Sequence, residues 1–270
     1  MSIASIMVSL DLGRSAGDRV RLAADLAGRF EAGLIGIAAR TIDTPAPVGD
    51  ILEAQDAYAE ERAALVDDLA EARTIFARSS GSALRTEWRQ IEAGPEAFLV
   101  RQARGADLVV VGRDPRGDGA GALGAAPGPV LMEVGRPVLV VPPGIDRLAA
   151  ARIVVAWKDA PEARRAVTAA LPFITRADQV FVVGVGREAS HEGAGEVADL
   201  LARHGAHVTA HALEAPNRTV AGEILHFSER HDADLVVMGG YGHARLREWL
   251  LGGVTRDILQ DAPLCCLMCH

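Results

Sequence analysis

The sequence has no excess of positive charge and no long apolar run. Its 270 residues include 28 Lys and Arg against 36 Asp and Glu, which gives a formal net charge of −8. Such a chain has no broad basic surface to neutralise a nucleic-acid backbone or an anionic membrane. No stretch reaches the roughly 18 apolar residues of a membrane span, and Asp11 interrupts the segment where a signal peptide is purely apolar. We therefore expect a cytoplasmic protein without nucleic-acid or membrane partners.

Cysteine is scarce and confined to one end of the chain. Cys265, Cys266 and Cys269 lie within the last six residues, unlike the dispersed even set of a disulfide-stapled domain. Residues 266–270 match the C-x-x-C-H haem-attachment string. On a strand, however, Cys266 and Cys269 point to opposite faces and cannot hold one ligand. We predict small buried side chains with reduced thiols.

Several signatures of catalysis and metal binding are also absent. The chain has no G-x-S-x-G elbow, no H-E-x-x-H helix and no full P-loop, so hydrolase and phosphotransferase chemistry lacks its usual parts. All eight histidines follow residue 190. On one strand His207 and His211 would be separated by roughly 13 Å, too far to chelate one zinc ion easily. We expect no catalytic residue and no metal site.

An internal repeat organises the chain. Residues 106–112 (ADLVVVG) and 233–239 (ADLVVMG) are near-duplicates, and each is an apolar run that leads into glycine. Strand-like openings at residues 6–10 and 153–157 precede them, each followed by a helical pattern. The order of elements is the same in both halves, which indicates two similar domains.

Strands and helices alternate within each half, and the strands are apolar on both faces, as a parallel sheet covered by helices requires. For the second half we predict five strands, which make a flavodoxin-sized sheet, near residues 152–157, 179–185, 206–212, 234–239 and 264–269. Prolines at 142 and 143 cannot continue a ladder and mark a linker. The predicted fold is α/β, with two tandem Rossmann-like domains at residues 1–146 and 147–270.

A glycine pattern follows the fourth strand of the second half. Gly239, Gly240 and Gly242 come directly after the apolar residues 235–238, and Gly252 and Gly253 follow after nine intervening residues. Glycine permits close backbone approach and φ > 0, and a helix N-terminus supplies unpaired N–H donors to an anion. This order predicts a phosphate-binding loop and hence a bound nucleotide.

On the repeat and the G-x2-G-x9-G spacing, the chain resembles the universal stress protein family in its tandem bacterial form. The resemblance implies a sheet order of 3-2-1-4-5 in each domain, with ATP over the carboxyl ends of strands 1 and 4. It implies that Gly239 and Gly242 line the ribose and phosphates, that Gly252 and Gly253 donate N–H groups, and that His243 lies beside the phosphates. The full set of expected nucleotide-binding residues is Trp157, Lys158, Val185, Met238, Gly239, Gly242, His243, Gly252, Gly253, Val254 and Thr255.

Two residues depart from the family pattern. Gly253 stands where the family commonly has Ser or Thr, and Thr255 follows two residues later. Lys158 stands where the family commonly has Asp at the end of strand 1. Either Lys158 is a surface residue neutralised by Asp159, which with Glu162 resembles a capping box, or it contacts a phosphate. The neighbouring Trp157 is either a core residue or a base-stacking surface.

The first half departs further from a nucleotide site. It has Asp11 at the end of strand 1, but after Gly112 the expected second glycine is Pro115, which has no N–H to donate. Asp114 and Asp118 would repel phosphate. We expect nucleotide in the second domain only.

The function predicted from these features is that of an ATP-binding or adenine-nucleotide-binding regulator of the stress response. The alternative is a nucleotide-free interaction or scaffold protein of the same fold. Turnover is limited to slow ATP hydrolysis assisted by His243. In this family the terminal strands commonly associate, so residues 264–268 suit a homodimer, unless the two domains satisfy that pairing within one molecule.

Overall fold

Strands and helices alternate along both halves of the chain. The structure, a computed structural model, describes residues 2–42, 51–81, 85–113, 121–186, 193–214, 218–242 and 253–270. In the first half the elements are β1 (Ser5–Ser9), α1 (Ala16–Phe30), β2 (Gly33–Arg40), α2 (Ile51–Ser79), β3 (Thr86–Glu92), α3 (Pro95–Gln102), β4 (Leu108–Gly112), α4 (Pro127–Glu133) and β5 (Val138–Val141). In the second half they are β6 (Arg152–Ala156), α5 (Pro161–Ile174), β7 (Gln179–Val185), α6 (Ala194–Arg203), β8 (Val208–Leu213), α7 (Val220–Arg230), β9 (Leu235–Gly239), α8 (Val254–Asp261) and β10 (Cys265–Cys269).

The ten strands form one continuous sheet. Its order is β3-β2-β1-β4-β5-β10-β9-β6-β7-β8, so each half contributes the order 3-2-1-4-5. Neighbouring strands run parallel within each half, and β5 meets β10 antiparallel, with Leu139 opposite Leu267. The prediction of two tandem Rossmann-like sheets is confirmed. The boundary near residue 147 lies between β5 and β6 and stays a prediction.

The strands form where apolar side chains fill both faces of the sheet. In β9, Leu235 and Val237 belong to the core on one face, and Val236 and Met238 to the core on the other. Because consecutive side chains of a strand alternate, a fully apolar run is stable only when both faces are covered by helices. None of the helices in the described ranges is long and apolar enough to cross a membrane.

The terminal strand follows the same alternation. Cys265 and Cys269 face one core, whereas Cys266 faces the other. All three cysteines are buried and free. The predicted strand with small buried side chains, and with Cys266 and Cys269 on opposite faces, is confirmed.

The start of α5 differs from the sequence prediction. Its N-cap is Ala160, which has no capping side chain, and Asp159 instead forms an exposed ion pair with Arg164. The predicted capping box of Asp159 and Glu162 was therefore wrong. Pro161 explains the difference, since its fixed φ suits the first helical position and sets the cap one residue after Asp159.

Candidate functional site

A cleft of about 260 Å³ opens at the carboxyl ends of β6 and β9. These strands are neighbours in the sheet, and the chain crosses to opposite sides of the sheet beyond them. Doubly wound sheets bind ligands at this switch point. The described residues that line the cleft are Ala156, Trp157, Lys158, Ala160, Glu162, Ala163, Val183, Val185, Val220, Ile224, Met238, Gly239, Tyr241, Gly242, Val254 and Thr255.

The glycines of the loop after β9 are required by close contacts. A Cβ atom at Gly239 would lie 2.7 Å from the backbone N of Ala163 and 2.6 Å from Cγ of Glu162. A Cβ atom at Gly242 would collide with Oε1 of Glu162. The loop therefore packs closely against the first turn of α5. A larger residue at Gly239 or Gly242 would force the loop or the helix to move.

Within residues 239–242 the left-handed residue is Tyr241 rather than a glycine. Its φ is 51°, whereas Gly239, Gly240 and Gly242 do not have positive φ. The predicted positive φ at glycine is therefore wrong for these three positions. The backbone N–H of Tyr241 donates a hydrogen bond of 3.1 Å to the hydroxyl of the buried Thr255. Thr255 therefore fixes the loop to α8 through its side chain.

The first half of the chain supports the outer side of the loop. A Cβ atom at Gly240 would lie 2.6 Å from Cδ2 of Leu131, and one at Gly128 would lie 2.8 Å from the hydroxyl of Tyr241. Gly240 also donates its N–H to the carbonyl of Cys269 at 2.8 Å. The loop is thus held between α4, β10 and α5.

Charged and aromatic side chains give the cleft its chemical character. Lys158 is exposed at the cleft, immediately after the buried Trp157. Trp157 lines this cleft on one side and a second cavity between α5 and α6 on the other. Glu162, at the second position of α5, is only 9% exposed and has its carboxylate against Gly242. Among the described residues, the cleft therefore combines glycine backbone, an apolar wall, one cation and one carboxylate.

Most of the predicted site residues come together in the cleft. Those that line it are Trp157, Lys158, Val185, Met238, Gly239, Gly242, Val254 and Thr255. Gly253 is the N-cap of α8. His243 and Gly252 lie outside the described residues, so their predicted contacts remain predictions.

Sequence reasoning missed two polar residues of the cleft, Glu162 and Tyr241. The sequence pattern indicated a helix cap for Glu162 and no role for Tyr241. Their contacts lie 80 residues or more away along the chain, at Gly242 for Glu162 and at Gly128 for Tyr241. Local patterns carry no signal for contacts at that separation.

The equivalent region of the first half is filled by an arginine. Arg19, only 3% exposed, contacts Oδ2 of Asp11 through Nη2 at 2.5 Å and the carbonyl of Ser9 through Nε at 3.0 Å. A Cβ atom at Gly112 would lie 2.5 Å from its Nη1. In the second half Ala166 stands eight residues after Lys158, as Arg19 stands eight after Asp11.

The guanidinium of Arg19 therefore occupies the space beside the first half's glycine. The prediction that this half lacks a nucleotide site stays a prediction, now with a physical reason. Pro115, Asp114 and Asp118, on which that prediction also rested, lie outside the described residues.

The fold and the cleft define a tandem doubly wound α/β protein with a glycine loop at its switch point. The model of the universal stress protein family matches residues 3–142 and 217–270, so the chain belongs to that family. A comparison with curated proteins found no match.

Solved structures share the fold over the full length. A universal stress protein from Archaeoglobus fulgidus DSM 4304 is 16% identical, with a TM-score of 0.67, and the match covers 100% of this chain and 96% of that chain. A functionally unknown protein from Pseudomonas aeruginosa PAO1 is 19% identical, with a TM-score of 0.57 and coverages of 98% and 92%. At these identities the two structures establish the fold alone.

A shorter structure matches about half of the chain. It is the universal stress protein from Archaeoglobus fulgidus in complex with dAMP, 18% identical, and the match covers 51% of this chain and 96% of that chain. Its TM-score of 0.32 carries no argument about the ligand of this chain.

Proposed function

We propose that this universal stress protein binds ATP or a related adenine nucleotide in the cleft of its second half, acts in the cytoplasm and regulates the stress response. The observation that carries the proposal is the glycine loop between Gly239 and Gly242, held against the first turn of α5 at the switch point of the sheet. A ligand that prefers one conformation shifts the population toward it, which is how binding would act as a signal.

The cleft offers complementary parts for a nucleotide. Helix α8 begins at Val254, and its N-cap, Gly253, makes no side-chain hydrogen bond to the first turn. The first N–H groups of α8 lie at the positive end of the helix dipole and are suited to bind an anion. Lys158 adds a cation at the same cleft. Trp157 and Val183 contribute apolar surface, which suits a base.

Binding is tested first on protein purified without added nucleotide. Denaturing the protein is expected to release about one adenine nucleotide per chain, which mass spectrometry identifies. If the protein is purified empty, calorimetry is expected to show that it binds ATP. Gly242→Asp should abolish uptake, because the new side chain collides with Glu162 and adds a second negative charge to the cleft. Gly195→Asp is the matched control, since a Cβ there meets nothing within 4 Å. A parent protein that is empty and does not bind ATP would contradict the proposal.

Turnover is not required by this function. We propose that any ATP hydrolysis is slow and assisted by His243. Phosphate release is measured for the parent and for His243→Ala. Equal rates would exclude a role for His243, and no release would exclude turnover; either result leaves binding intact.

The second candidate is a nucleotide-free interaction protein of the same fold. The observation that favours it is the carboxylate of Glu162 beside Gly242, which repels a phosphate placed on the loop. An empty protein that fails to bind ATP by calorimetry would support this candidate over the first.

A further inference from the structure

Glu162 places a carboxylate in the cleft beside the glycine loop. It is held inside the cleft: its Cγ packs on Gly239 and its Oε1 lies against Gly242. Only 9% of the residue is exposed, so the carboxylate does not lie free in bulk solvent. The positive end of the α5 dipole stabilises a charge at this second helical position. Glu162 thus presents a fixed negative acceptor to whatever occupies the cleft.

The carboxylates near the glycine loops have different surroundings in the two halves. In the first half Asp11 is neutralised by Arg19 at 2.5 Å. In the second half Lys158 replaces that aspartate, and the carboxylate comes instead from Glu162, one helical turn further along the chain. Ala166 stands where an arginine would close the pocket. The second half therefore retains an acidic group at its glycine loop and leaves room beside it.

The chemistry of a carboxylate determines which part of a nucleotide it contacts. An ionised carboxylate only accepts hydrogen bonds and has two oxygens to do so. Phosphate oxygens also accept, and they repel it. The two adjacent hydroxyls of a ribose both donate, and acidic side chains at the switch point of doubly wound sheets bind ribose in this way.

We propose that Glu162 is a specificity-determining residue that accepts hydrogen bonds from the ribose hydroxyls and selects ribonucleotides over 2′-deoxyribonucleotides. The inference rests on the proposed nucleotide function. The phosphates then lie toward the N–H groups at the start of α8, away from the carboxylate. The same group that opposes a phosphate at Gly242 thereby fixes the orientation of the ligand.

The test is calorimetry with AMP and 2′-deoxy-AMP on the purified full chain. The parent should bind AMP about tenfold more tightly than 2′-deoxy-AMP, the scale of one hydrogen bond to a charged group. Glu162→Gln removes the charge with little change of shape and should bring the two affinities within about threefold. Glu229→Gln, at an exposed position on α7, should leave the parent's preference unchanged. Glu162→Ala, compared at equal folded fraction, gives the same readout if the glutamine variant folds poorly.

The outcomes separate the inference from the function on which it rests. If the parent binds both nucleotides and Glu162→Gln keeps the parent's preference, the ribose assignment is overturned and nucleotide binding stands. If Glu162→Gln tightens both ligands equally, the carboxylate only repels phosphate, and the assignment is again overturned. If the parent binds neither nucleotide, the proposed function fails and the ribose assignment fails with it.

Discussion

Gly239 is packed against the backbone of α5 at the cleft. Replacing it with alanine places a Cβ 2.7 Å from a backbone nitrogen, which cannot move aside as a flexible side chain would. We expect Gly239→Ala to lower the free energy of unfolding by about 1–3 kcal/mol and to weaken nucleotide binding. Urea denaturation measures the first effect and calorimetry the second.

The control for this substitution is Gly28→Ala on the exposed face of α1. A Cβ at Gly28 meets nothing within 4 Å, and alanine is the better helix former by up to about 1 kcal/mol. Gly28→Ala should therefore be neutral or stabilising. A Gly239→Ala protein as stable as its parent would show that α5 yields easily, contrary to the close packing described above.

Arg19 and Asp11 form a buried ion pair in the first half. Arg19→Met leaves the carboxylate of Asp11 buried without its cation, so we expect a loss of about 3–5 kcal/mol in the free energy of unfolding. Adding Asp11→Asn to Arg19→Met removes the uncompensated charge and should restore part of that loss. The full double-mutant cycle, measured by urea denaturation, gives the coupling. A coupling near zero would mean that Arg19 acts by packing alone.

At the scale of elements, β10 buries three thiols in the middle of the sheet. Burial is the first cause that raises the pKa of Cys265 and of Cys269 to about 12, from an ordinary value near 9, and it also raises the pKa of Cys266. At pH 8 the thiolate fraction of a thiol with a pKa near 12 is roughly a thousandfold below that of an ordinary thiol. Ellman's reagent should therefore label the native protein far more slowly than the same protein in urea.

The same shifts make the protein less stable in alkali. Between about pH 9 and 12 the unfolded chain loses thiol protons that the folded chain retains. The unfolded state then binds fewer protons, so the free energy of unfolding falls as the pH rises through this window. Rapid labelling of the native protein at pH 8 would contradict the assignment. So would a free energy of unfolding that stays constant across the alkaline range and that Cys265→Ala does not change.

At the edge formed by β8 and α7, His211 makes the stability of the protein depend on pH in the opposite direction. Burial, and then the charge of His231, lowers the pKa of His211 below its ordinary 6.5. Below that pH the unfolded chain takes up a proton more readily than the folded chain, so stability falls as the pH falls. His211→Gln should reduce the loss of stability between pH 7.5 and 5.5 in urea denaturation, whereas His207→Gln, at an exposed position, should not. Equal losses in both variants would exclude His211 as the cause.

The elements themselves were largely predictable from the sequence. The five predicted strands of the second half begin and end within two residues of the observed ones, because apolar runs between turn residues are a local signal. The position of Arg19, in the region of the first half that is equivalent to the cleft, was not predictable. An arginine on an amphipathic helix ordinarily lies in solvent. Its partner Gly112 lies 93 residues away, and no periodicity connects the two.

At the scale of the whole molecule, the cleft depends on both halves. Leu131 of α4 contacts the loop at Gly240, and Gly128 contacts Tyr241. Leu131→Ala removes a fully buried side chain and should lower the free energy of unfolding by about 2–5 kcal/mol. It should also weaken nucleotide binding, because the loop loses its outer support.

The control for that variant is Leu22→Ala on α1, which is equally buried but does not line the cleft. It should cost comparable stability and leave the affinity of the folded protein unchanged. If both variants bind nucleotide as the parent does, the first half supports the fold but not the cleft.

The sheet also limits how copies of the chain can associate. Strands β5 and β10 pair with each other inside one molecule, so a homodimer would use other surfaces. The outer edges are β3 and β8. In β3, Glu87 and Arg89 form an ion pair along the edge, and charges there discourage pairing with a second sheet. Light scattering after size-exclusion chromatography measures the state in solution.

Arg19, which occupies the space beside Gly112 in the first half, also bears on how occupancy of the chain would depend on ligand concentration. If the proposed function holds and the described cleft is the one site of a monomeric chain, occupancy would rise with nucleotide concentration as a simple hyperbola with a Hill coefficient of one, since a second interacting site is needed for anything steeper. Two halves with open clefts would have permitted a threshold. On the proposed function, a chain with one such cleft would report the nucleotide level in graded fashion.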